Sequence, residues 1–456
     1  MGGWSFQSPF AKFTRKSSKS SSSSNSPPPQ STMPVKLYAN WISQPSRAVG
    51  WVLKVKGAEH EFVQTDFGSD IIKSDEFKTW NPNGLIPVLR DGDFSLFEGM
   101  AILTYLADKY QWTDLYPTEP LARAKVNEFL HWHHTGTRLF TLEIVRPTIA
   151  KKLGGATPKD LAFLENLELM GYDFSKYEKV SAWIARMKTI PFHEEPSSTS
   201  ESISGQTCDA SSNVRRPSDA DSSSSHRSLP APALMSSTKL YANLISQPSR
   251  SVAWVLKVKE VDHELVLTLP GSDIMKSEEF KTMNPNCLVP VLKDGDFVLF
   301  EGMAILTYLA DKYQWTDLYP TDLQARAKVN EFLHWHHTGT RKFTLEIVRP
   351  EISKILGAAT PKDLAFLEEK DKLLEKQFSL LETFLDHDYI AHTDVPSLAD
   401  YTAYCEIDQL ESMGYDFSKY EKVSAWIARM KTIPFHDEVR EQMNGFFAKF
   451  GLAGKP

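Results

Sequence analysis

The passage KLYANWISQPSRAVGWVLKVKG, beginning at Lys36, returns at Lys239 as KLYANLISQPSRSVAWVLKVKE. A repeat on this scale constrains the architecture before any single residue does, because each copy must close its own core or share one with its twin. Aligned without gaps, residues 36–165 and 239–368 differ at 25 of 130 positions, which means duplication rather than convergence. Beyond Glu165 the register breaks. NLELMGYDFSKYEKVSAWIARMKTIPFHEE from Asn166 matches QLESMGYDFSKYEKVSAWIARMKTIPFHDE from Gln409, so the 40 residues 369–408 have no counterpart in the first copy. The first copy also lacks the tail that follows Glu438.

Between the copies, residues 196–236 are too Ser-rich and polar to build a core and read as a flexible linker. Met33 and Met235 each precede a copy after Ser-rich sequence, the arrangement left by fusing two reading frames. Residues 1–33 carry four basic and no acidic side chains among many serines. That composition suits an organelle transit peptide or a disordered leader, and the sequence leaves both open.

Within each copy, short runs rich in β-branched and aromatic residues (KLYAN, HEFVQT or HELVLT, PVLRDGD or PVLKDGD, FSLF or FVLF) alternate with amphipathic stretches. The predicted order is β-α-β, a linking segment, then β-β-α, over residues 34–115 and again over 237–318. Everything after Pro320 in the second copy has helical spacing, which predicts a complete helical domain over 319–456. Its first-copy equivalent, 116–195, is truncated.

The net charge of −7 offers no basic surface for nucleic acid or anionic lipid. No apolar run approaches a membrane span. The three cysteines, Cys208, Cys287 and Cys405, lie far apart and form no C-x-x-C pair, which favours a reducing, cytoplasmic setting over disulfide or zinc chemistry.

Ser43 and Ser246 fall where a strand gives way to a helix. Such a serine is an ordinary N-cap with proline behind it. The same geometry also suits a hydroxyl that donates to a thiolate held at the positive end of a helix. Pro87 and Pro290 stand just before a strand, as simple entry residues or as cis-prolines that open the preceding backbone to a peptide-like ligand. Glu98 and Glu301 open a helix with Gly99 and Gly302 behind them, either matching the helix dipole or pairing with a ligand ammonium. In HWHH, only His334 and His337 share a helical face and no third ligand is evident, so a packed or capping role is expected and no metal. SLAD, from Ser397 to Asp400, reads as a structural capping box before a buried helix.

Taken in order, SQPSR, IP or VP, and FEG in an α/β unit followed by a helical one resemble a theta-class glutathione transferase. KLYANWISQPSRAV, LFEGMAILTYLADKY, LYPTDLQARAKVNEFLHWHHTGTR and PSLADYTAYCEIDQL carry the resemblance. It implies a thioredoxin-like domain plus an all-helical domain, present twice. The implied activity is conjugation of glutathione to small electrophiles, with reduction of organic hydroperoxides beside it. A non-catalytic ligand-holding or assembly module of the same fold is the alternative. The thiolate-stabilising serine then falls on Ser43 and Ser246, followed by Gln44 and Gln247. The cis-proline loops fall on Ile86–Pro87 and Val289–Pro290, and the γ-glutamyl pairs on Glu98–Gly99 and Glu301–Gly302. The arginine near the sulfur falls on Arg138 and Arg341. Where the family has serine after the glutamate, this chain has glycine. Leu85, Leu288, Ile72 and Met275 occupy the usual glycine-carboxylate positions, which points to Lys73 and Lys276 as substitutes. Tyr38 and Tyr241 are competing thiol activators, set three residues farther from the helix. The resemblance implies a homodimer or, given the duplication, an intrachain pseudo-dimer whose competent site lies in the second copy.

Overall fold

The computed structural model describes residues 34–140, 143, 173–192 and 238–454. The expected leader, the linker and the middle of the truncated helical domain lie outside the described residues.

Copy one opens with β1 (Val35–Ala39), α1 (Gln44–Val55) and β2 (His60–Gln64), then short α2 (Asp70–Lys73) and α3 (Asp75–Trp80). It closes with β3 (Val88–Asp91), β4 (Phe94–Phe97) and α4 (Gly99–Lys109). The strand order is β2-β1-β3-β4, with β1 and β2 parallel because α1 carries the chain back over the sheet, and the other pairs antiparallel. Val35, Leu37 and Ala39 alternate inward along β1. Two helices of the helical domain are described, α5 (Pro120–Thr135) and α6 (Glu178–Lys188).

Copy two repeats the α/β unit as β5 (Thr238–Ala242), α7 (Gln247–Val258), β6 (Glu264–Leu267), α8 (Asp273–Lys276), α9 (Glu278–Met283), β7 (Val291–Asp294), β8 (Phe297–Phe300) and α10 (Gly302–Tyr313). Its helical domain runs through α11 (Leu323–Trp335), a π-helical turn (Phe343–Val348), α12 (Arg349–Ile355), α13 (Pro361–Glu368), α14 (Lys370–Phe384), α15 (Leu398–Ser412), α16 (Glu421–Met430) and α17 (His436–Lys449). No helix among the described residues is long and apolar enough to cross a membrane.

Helix α15 is the central post of copy two, buried from Leu398 to Leu410. The SLAD capping box is formed: Asp400 accepts from the backbone N–H and hydroxyl of Ser397 at 2.7 and 2.8 Å. Its other oxygen accepts from Trp426 Nε1 and the Ile390 N–H, both at 2.9 Å. Arg250 of α7, fully buried, grips Asp408 of α15 with Nη2 and Nε at 2.6 and 3.1 Å. A bidentate pair out of water ties the α/β unit to the helical domain and leaves a stranded charge if either partner is removed.

The two copies pack on each other reciprocally. Helix α4 lies against α11, and α10 lies against α5. Glu331 accepts from the Phe97 N–H at 2.8 Å, while its twin Glu128 accepts from the Phe300 N–H at 2.9 Å. Trp335 Nε1 donates to Asn83 at 2.9 Å and Trp132 Nε1 to Asn286 at 3.3 Å. Phe77, Ile86, Val88 and Phe97 of copy one are continuous with the core of copy two. The duplicated sequence thus forms a pseudo-two-fold pair within one chain.

Candidate functional site

Each copy holds one cavity where the end of its sheet meets the start of α4 or α10 and the end of α5 or α11. The copy-one cavity measures about 140 Å³ and that of copy two about 100 Å³. Ile86, Pro87, Glu98, Gly99 and Arg138 line the first; Val289, Pro290, Glu301, Gly302 and Arg341 line the second. Both X-Pro bonds, Ile86–Pro87 and Val289–Pro290, are cis. Separated along the sequence, these residues are brought together in the two cavities, five in each.

Glu98 and Glu301 adopt φ of 65° and 66° directly ahead of their helices, a left-handed conformation that non-glycine residues seldom take. Burial pushes both carboxyls up to about 7, against the pull of Arg138 or Arg341. The opposite copy adds to the rise, through Glu331 for Glu98 and Glu128 for Glu301. A cation entering either cavity therefore meets a poised, desolvated carboxyl.

The glycine after each glutamate now has a steric reason. A Cβ on Gly99 would sit 2.7 Å from Pro45 Cβ, and one on Gly302 would sit 2.8 Å from Pro248 Cβ. The helix starts approach so closely that a serine there would force the proline to move.

Ser43 and Ser246 occupy the N-cap positions of α1 and α7, with extended backbone, but neither side chain caps its helix. The Ser43 hydroxyl is buried without a hydrogen-bond partner among the described residues. Neither serine is part of a cavity wall; Pro45 and Pro248, two residues on, are. Gln247 likewise stands behind the wall, accepting from Arg341 Nη1 at 2.8 Å and donating to Gln409. Arg341 also donates to Glu406 at 2.9 Å, and Glu406 accepts from Thr344. In copy one the Gln44 side-chain nitrogen is buried without a partner among the described residues. The counterpart of Glu406 falls in the missing 40 residues.

Lys73 and Lys276 end their short helices exposed to solvent and line neither cavity. Leu85 and Leu288, 54% and 59% exposed, stand at the cavity rims instead. Tyr38 packs among Phe77 and Trp80, away from the wall.

The histidines of the HWHHTGTR segment are a wall that the sequence did not announce. His133 and His134 line the first cavity, and His336 and His337 the second. Each cavity also takes a residue from the other copy, Thr338 in the first and Thr135 in the second. The one available signal was that this segment is identical in both copies. Among the described residues, one group has metal-ligating spacing: Asp386, His387 and His392, exposed between α14 and α15. There His392 already bonds Asp386 at 2.7 Å and His387 bonds Asp394 at 3.3 Å.

The family model described as Glutathione S-transferase, N-terminal domain, matches residues 33–108, and a second model of the same description matches 245–312. Glutathione S-transferase, C-terminal domain, matches 341–434. Glutathione S-transferase T1 of Arabidopsis thaliana is 35% identical over 224 residues, 45% of this chain and 89% of its own length. Glutathione S-transferase theta-1 of Homo sapiens is 37% identical over 216 residues, 44% of this chain and 86% of its own length. A solved structure of human glutathione transferase theta-2 with glutathione and an unknown ligand is 32% identical, covers 47% of this chain and 90% of that one, and has a TM-score of 0.43.

Proposed function

Because the chain belongs to the theta-class glutathione S-transferases, we propose that its two cavities are glutathione sites and that the copy-two site carries most of the turnover. The observation that carries this reading is the recurrence, in both copies, of a half-buried carboxyl with left-handed backbone at a helix start, beside a cis-proline loop and an arginine.

In this reading the α-ammonium of the γ-glutamyl group pairs with Glu98 or Glu301, and its carboxylate takes the N–H groups at the start of α4 or α10. The cysteinyl backbone of the ligand runs along Ile86–Pro87 or Val289–Pro290 as an added strand. The sulfur then lies toward the N-terminus of α1 or α7, where a serine hydroxyl unclaimed by its helix donates to it. That hydrogen bond and the helix dipole favour the thiolate over the thiol, and the proton leaves to solvent. The thiolate attacks the electrophilic carbon, the carbon–sulfur bond forms, and the leaving group departs or the epoxide opens. With an organic hydroperoxide the same thiolate attacks the terminal oxygen, releasing an alcohol. A second glutathione then converts the sulfenic acid to disulfide and water. With Lys73 and Lys276 exposed away from the cavities, the glycine end of the ligand is held by backbone and rim contacts.

Copy two is favoured because Gln409, Glu406 and Gln247 hold Arg341 in place. The test is Ser246→Ala with ultraviolet titration of bound glutathione. Loss of the hydrogen bond should raise the thiol pKa by about one unit or more and cut kcat in proportion, with folding preserved. An unchanged titration, with a large loss in Tyr241→Phe, would transfer the role to the tyrosine.

A further inference from the structure

Where the two copies meet, four imidazoles form one cluster, His131 and His334 buried and His134 and His337 half-buried. His134 stacks on His337 with ring centroids 4.6 Å apart and planes within 8°, and His131 stacks on His334 at 4.2 Å and 12°. The stacks are stitched crosswise: His131 Nδ1 lies 3.2 Å from His337 Nε2, and His134 Nε2 lies 3.3 Å from His334 Nδ1. Each such contact needs one N–H and one lone pair, so both contacts are met by neutral rings, while His134 Nδ1 is buried without a hydrogen-bond partner among the described residues. Burial holds all four well below the usual histidine range, and the neighbouring imidazoles and Arg341 push the same way.

The two kinds of ring stand differently toward the cavities. His134 lines the copy-one cavity and His337 the copy-two cavity, while His131 and His334 line neither. The ring facing one cavity is thus held by rings of the other copy. His337 is fixed by His131 and His134, and His134 by His334 and His337. The two cavities share a wall one stacked imidazole pair thick. Thr135 and Thr338, one residue on, cross the same boundary into the opposite cavity. Stacked rings cannot turn independently, and misplacement of a binding wall by about 1 Å is enough to cost much of a site's effectiveness.

We propose that His131 and His334 are cross-copy positioning residues: His131 of copy one sets the wall of the copy-two cavity through His337, and His334 sets that of copy one through His134. The two sites of a single chain are coupled through this stack, which gives the duplication a consequence beyond doubling the site count. The inference rests on reading the cavities as glutathione sites.

The test uses the full chain carrying Ser43→Ala, so that the remaining turnover reports the copy-two site. There, His131→Leu should raise KM for glutathione several-fold with kcat little changed, although residue 131 lies in the other copy. His131→Asn, which keeps a hydrogen-bonding group, should recover part of the loss and guards against a misfolded leucine variant. His334→Leu, which alters the residue that bonds the wall of the silenced cavity and reaches His337 only through its stack on His131, should raise KM distinctly less than His131→Leu does. Equal effects of the 131 and 334 substitutions would show a generally loosened interface and overturn the proposal, as would no effect of either. Calorimetry on the unsubstituted chain separates the two layers: absence of glutathione binding would remove the cavity assignment, and the coupling with it.

Discussion

Helices α6 and α16 have one sequence, EKVSAWIARM, and opposite surroundings. In copy two, Val423, Trp426, Ile427 and Met430 are buried against α14 and α15, and the Trp426 indole donates to Asp400. In copy one no residue of α6 is buried, and Val180 and Trp183 are 38% and 40% exposed. The helix nevertheless keeps its attachment to the α/β unit. Trp51 Nε1 donates to Pro191 at 2.8 Å, as Trp254 Nε1 does to Pro434 at 2.8 Å. The pair shows that local sequence builds the amphipathic helix, whereas the 40-residue segment absent from copy one decides whether its apolar face is used. Copy one compensates elsewhere, by leaning its α4 and α5 on copy two.

The largest expected effect comes from separating the halves. Residues 236–456 alone should fold cooperatively, turn over and self-associate through the exposed α10–α11 face. Residues 34–195 alone should lack a cooperative urea transition, because their helical domain cannot bury its apolar faces. Cooperative unfolding and comparable turnover in the first half would erase the contrast. A sharper comparison follows from the matched tryptophans. Trp426→Ala should cost about 3–5 kcal/mol of stability, as for a fully buried large side chain. Trp183→Ala should fall within about 0.5 kcal/mol, the range of a surface site. Similar shifts in the urea midpoint would mean that α6 is covered as well as α16.

Much of this was legible in the sequence. The repeat, the β-α-β and β-β-α order, the prolines before β3 and β7 and the glutamates opening α4 and α10 are local patterns, and local patterns survive folding. What was not legible depends on contacts distant in sequence. Asp408 meets Arg250 across 158 positions, and no periodicity announces that pairing. Lys276 sits one residue from Met275, yet the turn of a four-residue helix sends it to solvent. Gly302 looked like a lost serine until Pro248 was seen against it. The histidines of HWHH are packed, and what the sequence hides is that His131 and His134 pack on His334 and His337 of the other copy.

A smaller effect, common to both sites, appears with pH. With Glu98 and Glu301 poised near 7 in the empty cavities, the carboxylate needed by a ligand ammonium is scarce at pH 6 and half-formed at pH 7. Affinity for S-methylglutathione, which has no thiol to titrate, should therefore rise about fivefold over that unit, with proton release on binding. Glu301→Gln should flatten the copy-two component. A pH-independent affinity in the parent would remove the glutamates from ammonium binding.

The central claim is that the two copies pair within a single chain, so that each cavity is completed by its own twin and not by a second molecule. Sedimentation equilibrium of the intact protein across the low-micromolar range tests it most directly. The account predicts one species of 51.6 kDa at every concentration, because α4, α5, α10 and α11 already occupy one another. A concentration-dependent shift to twice that mass, with the α10 and α11 faces buried between molecules, would contradict it.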